Sequence, residues 1–541
     1  MKKYKLYSLA AAAVLTLGLS SCGEDFLTEE PASSVPIDGY YTSESRIIES
    51  MVAAYDPLHW YDYFNGWCPL NFMWDCMADD VYVGGSNVTD QAQLHLISQY
   101  QSDPNNSIGG LWSANYSGIN RSIRLIDNAT ASDLPEATKN MYIAEGRALR
   151  AWYYLVLWKT WGNIPFYTEN LTPPDYFAEQ ISADQVYNNV ITDLEAVIAM
   201  NALPMKQADE WCGRMTQATV YMMYADMVMY QKDTSRYQQA LNYMKEIINS
   251  TQYDLVAGED YDQLFSYETE WTDEIIFDIN YIALGGSRDW GTANAPGGTV
   301  YPAMIGIDGL NYNGTNKGVI NGPYAEFQTG GWGFEPVAKE AYDAFEENDL
   351  RRDVAILNMD KYTKDMAEQG VNVTYGGRYQ NTGFFLRKYL GRPGGNAGCT
   401  GSADMNWDNN QHIYRFAETL LNAAELGMEV GDGEAQGYFD RVRARAGLAP
   451  LPLNQENIIN ERRLEFVGEG KRYFDLVRTG TAAQVLTAGG GVLLLDKTTM
   501  TYTEPGTAIP QRPAWTENKK YLPIPQSEIE ASQGVIVQNP Y

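Results

Sequence analysis

Histidine and cysteine are scarce in this 541-residue chain, which has three histidines and five cysteines. No H-E-x-x-H motif occurs, and no cysteine or histidine pair has the spacing of a zinc site. The G-x-S-x-G elbow of α/β-hydrolases and the phosphate-binding P-loop are missing as well. These absences argue against the common zinc protease, serine hydrolase and P-loop classes, and we predict neither a metal ion nor a cofactor.

Positive charge is also scarce, because 39 lysines and arginines stand against 69 aspartates and glutamates. The net charge of -30 repels nucleic acids and anionic substrates, so we expect no nucleic-acid partner. Neutral ligands are compatible with this charge. Carboxylate pairs such as Asp79-Asp80 and Glu346-Glu347 are frequent in so acidic a chain. A single pair therefore does not indicate the two-carboxylate site of a glycosidase.

Long hydrophobic runs are limited to the N-terminus. Lys2, Lys3 and Lys5 precede an apolar stretch over 9–19, which is much shorter than the roughly 20 residues of a membrane-spanning helix. No later stretch is long and apolar enough to span a membrane either. The pattern predicts a secretory signal peptide over residues 1–21.

The signal peptide ends beside a cysteine. The sequence Leu19-Ser20-Ser21-Cys22 resembles a bacterial lipobox, in which the cysteine becomes the lipidated N-terminus of the mature chain. We therefore predict lipidation of Cys22, followed by a tether over residues 22–40 that includes the acidic GEDFLTEE. The alternative is ordinary cleavage, which would leave Cys22 as a thiol near the new terminus.

The four remaining cysteines are too few and too scattered for a disulfide framework; they are Cys68, Cys76, Cys212 and Cys399. Cys68 and Cys76 are either two thiols or, in an oxidising compartment, a disulfide that closes one loop. The sequence leaves both alternatives open.

Helical periodicity dominates the first half of the chain. In residues 137–161, apolar side chains recur three and four residues apart from Met141 to Trp158, and Gly162-Asn163 and Pro165 end the pattern. The same reasoning predicts further helices over 45–55, 111–129, 183–200, 215–231, 236–250, 335–353 and 411–430. The stacked helix pairs resemble degenerate tetratricopeptide (TPR) units, so we predict a mainly α, TPR-like scaffold.

The sequence pattern changes between about 253 and 410. Glycine and aromatic residues become more frequent there, and helical periodicity is lost over long stretches. Loops of this length in a compact domain are usually functional. We predict one interleaved domain over 41–541, with TPR-like helices at about 111–250 and 411–480. An irregular insert with a few β-hairpins lies between these two helical regions.

Two stretches carry a specific resemblance to a known family. AEGRALRAWYYLVLWKTWGNIPFYTE (144–169) and ENIINERRLEFVGEGKRYFDLVRTG (456–480) resemble the signature segments of the RagB/SusD family. The likeness continues at DNNQHIYRFAETLLNAAEL (408–426), at VRARAGL (442–448) and at the ending YLPIPQSEIEASQGVIVQNPY (521–541). It thus extends over nearly the whole mature chain.

The second segment has the chemistry of helix packing and not of an active site. Arg462 and Glu465 lie three residues apart, and Asp475 and Arg478 repeat that spacing. Side chains at this spacing lie on one helix face, where charged pairs fix how helices pack. We therefore expect these residues to be structural.

The resemblance implies a location and partners. RagB/SusD proteins are surface lipoproteins of glycan-uptake systems. The resemblance implies that Cys22 anchors the chain in the outer membrane, facing outward at the cell surface. It also implies that the chain lies over a SusC-like TonB-dependent transporter and helps deliver oligosaccharide or polysaccharide into it.

No signature fixes the ligand site, so we infer it from chemistry. Sugar rings pack their C–H faces on aromatic side chains, and their hydroxyls need hydrogen bonds from Asp, Asn or Arg. The candidates lie in the two inserts: Trp67, Trp74, Asp80 and Tyr82 in the first, and Trp290, Tyr301, Trp332, Arg378 and Arg387 in the second. The alternative for each tryptophan is packing in the core or within its loop.

The sequence thus predicts a non-catalytic, lipid-anchored glycan-binding protein. Two alternatives stay open. One is a transporter lid for peptide or another non-glycan nutrient, and the other is a helical glycoside hydrolase with two carboxylates across a sugar cleft. The sequence does not identify the glycan.

Overall fold

The computed structural model describes residues 40–62, 67–172, 176–292, 295–314, 325–489, 492–506, 509–510 and 512–541. Cys22 and almost all of the predicted tether lie outside these ranges. The described chain is mainly helical, and the prediction of a mainly α fold is confirmed. One continuous cluster of buried hydrophobic side chains extends along the sequence from Ile47 to Ile536.

The helices are α1 (Glu44–Tyr55), α2 (Leu70–Asp75), α3 (Ala92–Ser98), α4 (Gly109–Ala131), α5 (Glu136–Trp161), α6 (Ala183–Met200), α7 (Gln217–Gln231), α8 (Tyr237–Asn249), α9 (Tyr301–Ile305), α10 (Lys339–Asp343), α11 (Arg352–Ala355), α12 (Met359–Glu368), α13 (Phe416–Val430), α14 (Ala435–Arg445), α15 (Gln455–Glu465), α16 (Arg472–Thr479), α17 (Ala482–Val485) and α18 (Gln526–Ala531).

The strands are short and pair two by two. They are β1 (Ile164–Pro165), β2 (Gln180–Ile181), β3 (Ile275–Ile279), β4 (Asn311–Gly314), β5 (Ile356–Asn358), β6 (Val371–Thr374), β7 (Phe384–Leu386), β8 (Gln411–Arg415), β9 (Leu494–Asp496) and β10 (Thr501–Thr503). The antiparallel pairs are β1 with β2, β3 with β8, β4 with β6, β5 with β7 and β9 with β10.

The helical stack begins with α4 to α8, which lie within two residues of the predicted bounds. Local signals explain the agreement. Ser182 and Gln185 form a capping box at the start of α6, and Gly162 ends α5 with a positive φ of 69°. Consecutive helices from α4 to α8 contact one another, and α13 packs on α8 and α14.

Two predicted helices are wrong in part. The predicted helix over 335–353 is present only as α10 and α11, because its first residues pair with other segments. Val337 forms a β-bridge with Val81 and Pro336 forms one with Phe385, while Glu335 has a left-handed φ of 55°. The first five residues of the predicted helix over 411–430 form β8, where they pair with β3.

A buried ionic network joins the helices to the β3–β8 pair. The Arg415 guanidinium lies 2.5 Å from Glu274, 2.9 Å from Glu465 and 2.8 Å from Glu469. Each of these four side chains is at most 2% exposed. Removing one member would leave uncompensated charge in the interior, so the network fixes how these segments pack.

The expected structural role of the second signature segment is confirmed, but Arg462 and Glu465 each pair with other residues instead of with each other. Arg462 pairs with Asp475 at 2.8 Å and with Glu418 at 3.1 Å, while Glu465 joins the network around Arg415. Arg478 donates to both carboxylate oxygens of Glu425. These contacts tie α15 and α16 to α13.

Candidate functional site

Three tryptophans from separate loops come together at the surface. The ring centroids of Trp67 and Trp290 are 5.4 Å apart, those of Trp290 and Trp332 are 5.7 Å apart, and those of Trp67 and Trp332 are 5.8 Å apart. Trp290 is 56% exposed, and the other two rings are half-buried. We call these three residues the tryptophan cluster.

The rings of the tryptophan cluster differ in orientation. The ring plane of Trp290 is tilted by 33° from that of Trp67 and by 36° from that of Trp332. The planes of Trp67 and Trp332 differ by 67°, close to the total of the two smaller angles. The plane of Trp290 is therefore intermediate in orientation, while the nearly equal centroid distances place the three rings at the corners of a compact triangle.

A buried ion pair links the loops that carry Trp67 and Trp290. Arg288 lies two residues before Trp290, and its guanidinium is 3.1 Å from the Asp62 carboxylate. Both side chains are almost fully buried, at 3% and 1% exposure. Arg288 also donates to the His59 carbonyl at 2.7 Å, so the second insert is held on the first by two buried contacts.

Trp332 is held by backbone hydrogen bonds to α9 and its flank. Its N–H donates to the Ala303 carbonyl at 3.0 Å, and the next residue, Gly333, donates to the Gly306 carbonyl at 2.8 Å. Gly333 has a φ of 71°, and a side chain there would press on Arg378. Only glycine fits this position without strain. Because glycine has no side chain, Arg378 can lie close to the Trp332 backbone.

Arg378 provides polar groups next to the tryptophan cluster. It donates to the Trp332 carbonyl at 2.9 Å and pairs with Asp308 at 3.0 Å. Arg378 and Asp308 each retain 32% side-chain exposure, so both reach solvent. Sequence reasoning missed Asp308, because one aspartate in a glycine-rich loop carries no signal that distinguishes it from its neighbours.

Four predicted site residues are buried, and for them the expectation of an exposed binding side chain is corrected. Trp74 is 7% exposed and packs its ring edge on Phe474 at 4.9 Å, and Tyr82 is 8% exposed. Asp80 is 3% exposed and lies 2.5 Å from Arg463. Tyr301 is 4% exposed and donates to Glu335 at 2.7 Å.

Arg387 belongs to another part of the surface. It lies 2.9 Å from Glu326 and 3.8 Å from Asp262, and it donates to the Asp353 carbonyl. Of the nine predicted ligand contacts, the structure therefore brings together Trp67, Trp290, Trp332 and Arg378. Their role in binding stays a prediction.

The carboxylates of the Asp79-Asp80 pair are occupied by arginines. Asp79 lies 2.9 Å from Arg472, and Asp80 lies 2.5 Å from Arg463. Burial raises the pKa of Asp79, but hydrogen bonding to Arg472 and the charges of both arginines outweigh it and lower that pKa overall. A carboxylate held ionised in this way is poorly suited to act as a general acid.

Cys68 and Cys76 are buried thiols and not a disulfide, which settles the alternatives left open by the sequence. Within the described ranges, no group of three or more His, Cys, Asp or Glu side chains is arranged to hold a metal ion. None of the described helices has the length and hydropathy to cross a membrane.

Comparisons with known proteins agree with this architecture. Residues 273–541 match the SusD family model, and residues 25–229 match a model described as starch-binding associating with outer membrane. A curated relative, SusD-like protein P25 of Formosa agariphila, is 24% identical over 518 residues, which cover 89% of this chain and 91% of the relative.

Solved structures are similar over almost the entire chain. Surface glycan-binding protein A from Bacteroides thetaiotaomicron, in complex with laminarihexaose, is 43% identical with a TM-score of 0.82. The match covers 92% of this chain and 100% of that one. A laminarin-binding SusD-like protein is 29% identical with a TM-score of 0.77, over 92% of this chain and 100% of its own. The chain belongs to the SusD family.

Proposed function

We propose that this protein is a non-catalytic surface glycan-binding protein. It captures a neutral oligosaccharide or polysaccharide on the tryptophan cluster and delivers it to a SusC-like TonB-dependent transporter. Lipidation of Cys22 holds it in the outer membrane, facing outward. The observation that carries the proposal is the convergence of Trp67, Trp290 and Trp332 from three loops onto one partly exposed surface.

The chemistry of the cluster suits a sugar chain. Indole faces pack against the C–H faces of pyranose rings, and the packing energies of contacts with several indoles add together. Arg378 donates hydrogen bonds and Asp308 accepts them, so both kinds of hydroxyl contact are available beside the rings. The net charge of -30 favours neutral over acidic glycans.

The similar proteins favour one ligand class. One solved structure is a complex with laminarihexaose, another protein is described as laminarin-binding, and both ligands are β-1,3-glucans. We therefore propose a laminarin-type β-1,3-glucan as the ligand class.

A calorimetric titration tests the proposal. The protein from Gly23 onward is titrated with laminarihexaose, cellohexaose, maltohexaose and a mannan oligosaccharide, and each mixture is assayed for released reducing ends. We expect saturable binding that is strongest for laminarihexaose, without hydrolysis. Released reducing ends would contradict the non-catalytic function, and the absence of binding to every sugar would contradict glycan capture.

The delivery step needs its own test. The full-length lipoprotein is purified from outer membranes in mild detergent, and the copurifying proteins are identified by mass spectrometry. We expect a large TonB-dependent barrel in stoichiometric amount. A Cys22→Ala variant serves as the control for anchoring and is expected in the soluble fraction. Recovery of the wild-type lipoprotein without any barrel would contradict delivery to a transporter.

A further inference from the structure

A second concave surface lies between α4, the β1–β2 connection and the C-terminal segment. It encloses about 610 Å³. This volume is in the range of small-molecule binding sites, which span roughly 300–1,000 Å³. None of its lining residues belongs to the tryptophan cluster. We call this surface the α4 groove.

The floor of the α4 groove is one face of a helix. Trp112, Tyr116 and Asn120 follow one another at four-residue intervals in α4, so their side chains lie in a row. The ring of Tyr116 lies nearly parallel to that of Tyr167, with centroids 6.1 Å apart and planes 17° apart. Both tyrosines are half-buried and keep ring surface on the groove.

Polar groups lie among these rings. Asn120 accepts a hydrogen bond from the Tyr167 hydroxyl at 3.0 Å, which orients its carbonyl oxygen and leaves the amide N–H groups as donors. The Glu528 carboxyl lies beside the Trp112 indole, and burial raises the pKa of Glu528. Ser113 and Ser117 add hydroxyls along the same helix.

The rim of the groove is apolar and exposed. Tyr176 is 61% exposed and Phe177 is 43% exposed on one side, and Val535 is 39% exposed on the other. Exposed aromatic residues around a concave surface mark binding sites in soluble proteins. The lining therefore combines aromatic faces with a carboxyl, an amide and hydroxyls within one cavity.

This combination favours a sugar over a protein partner. The centre of a protein–protein interface is depleted of charged residues, whereas the Glu528 carboxyl is among the groups that line the α4 groove. A sugar unit uses both features, because its C–H face packs on a ring and its hydroxyls donate to a carboxylate. The same carboxylate disfavours acidic sugars.

We propose that the α4 groove is a second carbohydrate site, which holds a unit or short segment of a neutral oligosaccharide on Tyr116 and Tyr167, with Glu528 and Asn120 bonded to its hydroxyls. The inference extends the proposed function to another surface. A glycan chain bound at this groove and at the tryptophan cluster of one molecule would be retained longer than at either site alone.

The test uses the whole mature chain labelled with 5-fluorotryptophan and followed by fluorine NMR. Trp112 reports on the α4 groove and Trp290 reports on the tryptophan cluster; each resonance is assigned from a Trp→Phe variant. Laminarihexaose, cellohexaose, maltohexaose and a mannan oligosaccharide are added up to millimolar concentrations. We expect at least one sugar to shift the Trp112 resonance saturably, both in the wild type and in Trp290→Ala.

Ser117→Arg places a long side chain in the groove and is expected to abolish the Trp112 shift. Thr130→Arg makes the same change on an exposed part of α4 outside the groove and should leave the shift intact. Glu528→Gln, which removes the charged acceptor, should weaken binding at least threefold. A Trp112 shift that survives unchanged in both Ser117→Arg and Glu528→Gln would overturn the proposal.

Two further results would overturn it. One is a Trp112 resonance that moves with none of the four sugars. The other is a resonance that moves only when a purified outer-membrane barrel is added, which would reassign the groove to protein docking. Because Trp290 is read separately, failure at the groove and failure at the tryptophan cluster are distinguishable.

Discussion

The indole rings of Trp67 and Trp290 lie 5.4 Å apart, although the two residues come from different inserts. The carboxylate of Asp62 and the guanidinium of Arg288 form a buried ion pair at 3.1 Å. Each partner is a few residues from one of the two tryptophans in sequence. The arrangement of the aromatic surface therefore depends on a charged contact that is itself inaccessible to a ligand.

Asp62→Ala should destabilise the protein and weaken glycan binding together. The change leaves the Arg288 charge buried without its carboxylate, which typically costs about 3–5 kcal/mol of unfolding free energy. The loops would then lose the contact that sets the ring spacing. Urea unfolding and calorimetry check the two effects. Asp127→Ala, at an exposed position of α4, should change neither; an Asp62→Ala protein with wild-type stability would contradict the role of the pair.

Trp74→Ala should lower the stability of the protein and leave its affinity for glycan unchanged. Trp74 is 7% exposed and packs on Phe474, so its removal leaves a cavity that costs about 3–5 kcal/mol. The folded fraction should still bind glycan with the wild-type dissociation constant. Urea unfolding and calorimetry on the same preparation separate the two quantities. A loss of glycan affinity in a folded Trp74→Ala protein would show that this residue contributes to binding, contrary to the prediction.

The sequence predicted most of the helical scaffold, because its signals are local. The capping residues of α6 and the glycine after α5 are close in sequence to the helices that they bound. For the residues of β8 the sequence predicts helix, because the pairing partner β3 is more than a hundred residues away in the chain. Pairing between distant segments leaves no periodicity in either segment.

The candidate site was predictable in part for the same reason. Tryptophans in glycine-rich loops indicated an aromatic surface, and Trp67, Trp290 and Trp332 do converge. The sequence did not distinguish Trp290, which is exposed, from Trp74, which is buried, because both lie in segments without clear periodicity. Asp62 and Arg288, the pair that brings the loops together, had no local signal at all.

Stability should fall at acidic pH through the network around Arg415. Burial alone would raise the pKa of Glu469, but the charges of Arg415 and Lys388 outweigh it and lower that pKa to about 2. The Glu469 carboxylate takes up a proton at higher pH in the unfolded chain than in the native chain. Its contribution to the free energy of unfolding is therefore complete above about pH 4.5 and is lost as pH falls toward 2.

Glu469→Gln tests this contribution. The variant should be less stable than the wild type at pH 7 by roughly 3 kcal/mol, and the difference should shrink between pH 4.5 and pH 2. Chemical denaturation at a series of pH values measures both curves. A difference that stays constant over this range would show that Glu469 does not titrate as inferred.

Stability should also decrease toward alkaline pH through Asp75 and Glu335. Burial raises the pKa values of both carboxyls well above the usual range, and repulsion from Asp75 adds to the effect on Glu335. The native state therefore keeps a proton that the unfolded state releases, and stability falls as pH rises. Glu335→Gln cannot ionise, and its carbonyl can still accept the Tyr301 hydroxyl, so this variant should lose less stability between pH 5 and pH 9.

Thermal unfolding across that range compares the wild type, Glu335→Gln and the exposed control Glu456→Gln. The control should follow the wild-type curve. Parallel curves for all three proteins would contradict the raised pKa of Glu335.

The most direct test of glycan capture compares two single substitutions in one titration with laminarihexaose. Trp290→Ala removes the most exposed ring of the tryptophan cluster, which should cost about 1–3 kcal/mol of binding energy, a loss of roughly 5-fold to 150-fold in affinity. Trp211→Ala removes another exposed tryptophan, which packs on Arg214, and should bind like the wild type. Equal affinities for Trp290→Ala and the wild type would contradict the central claim that the tryptophan cluster holds the glycan.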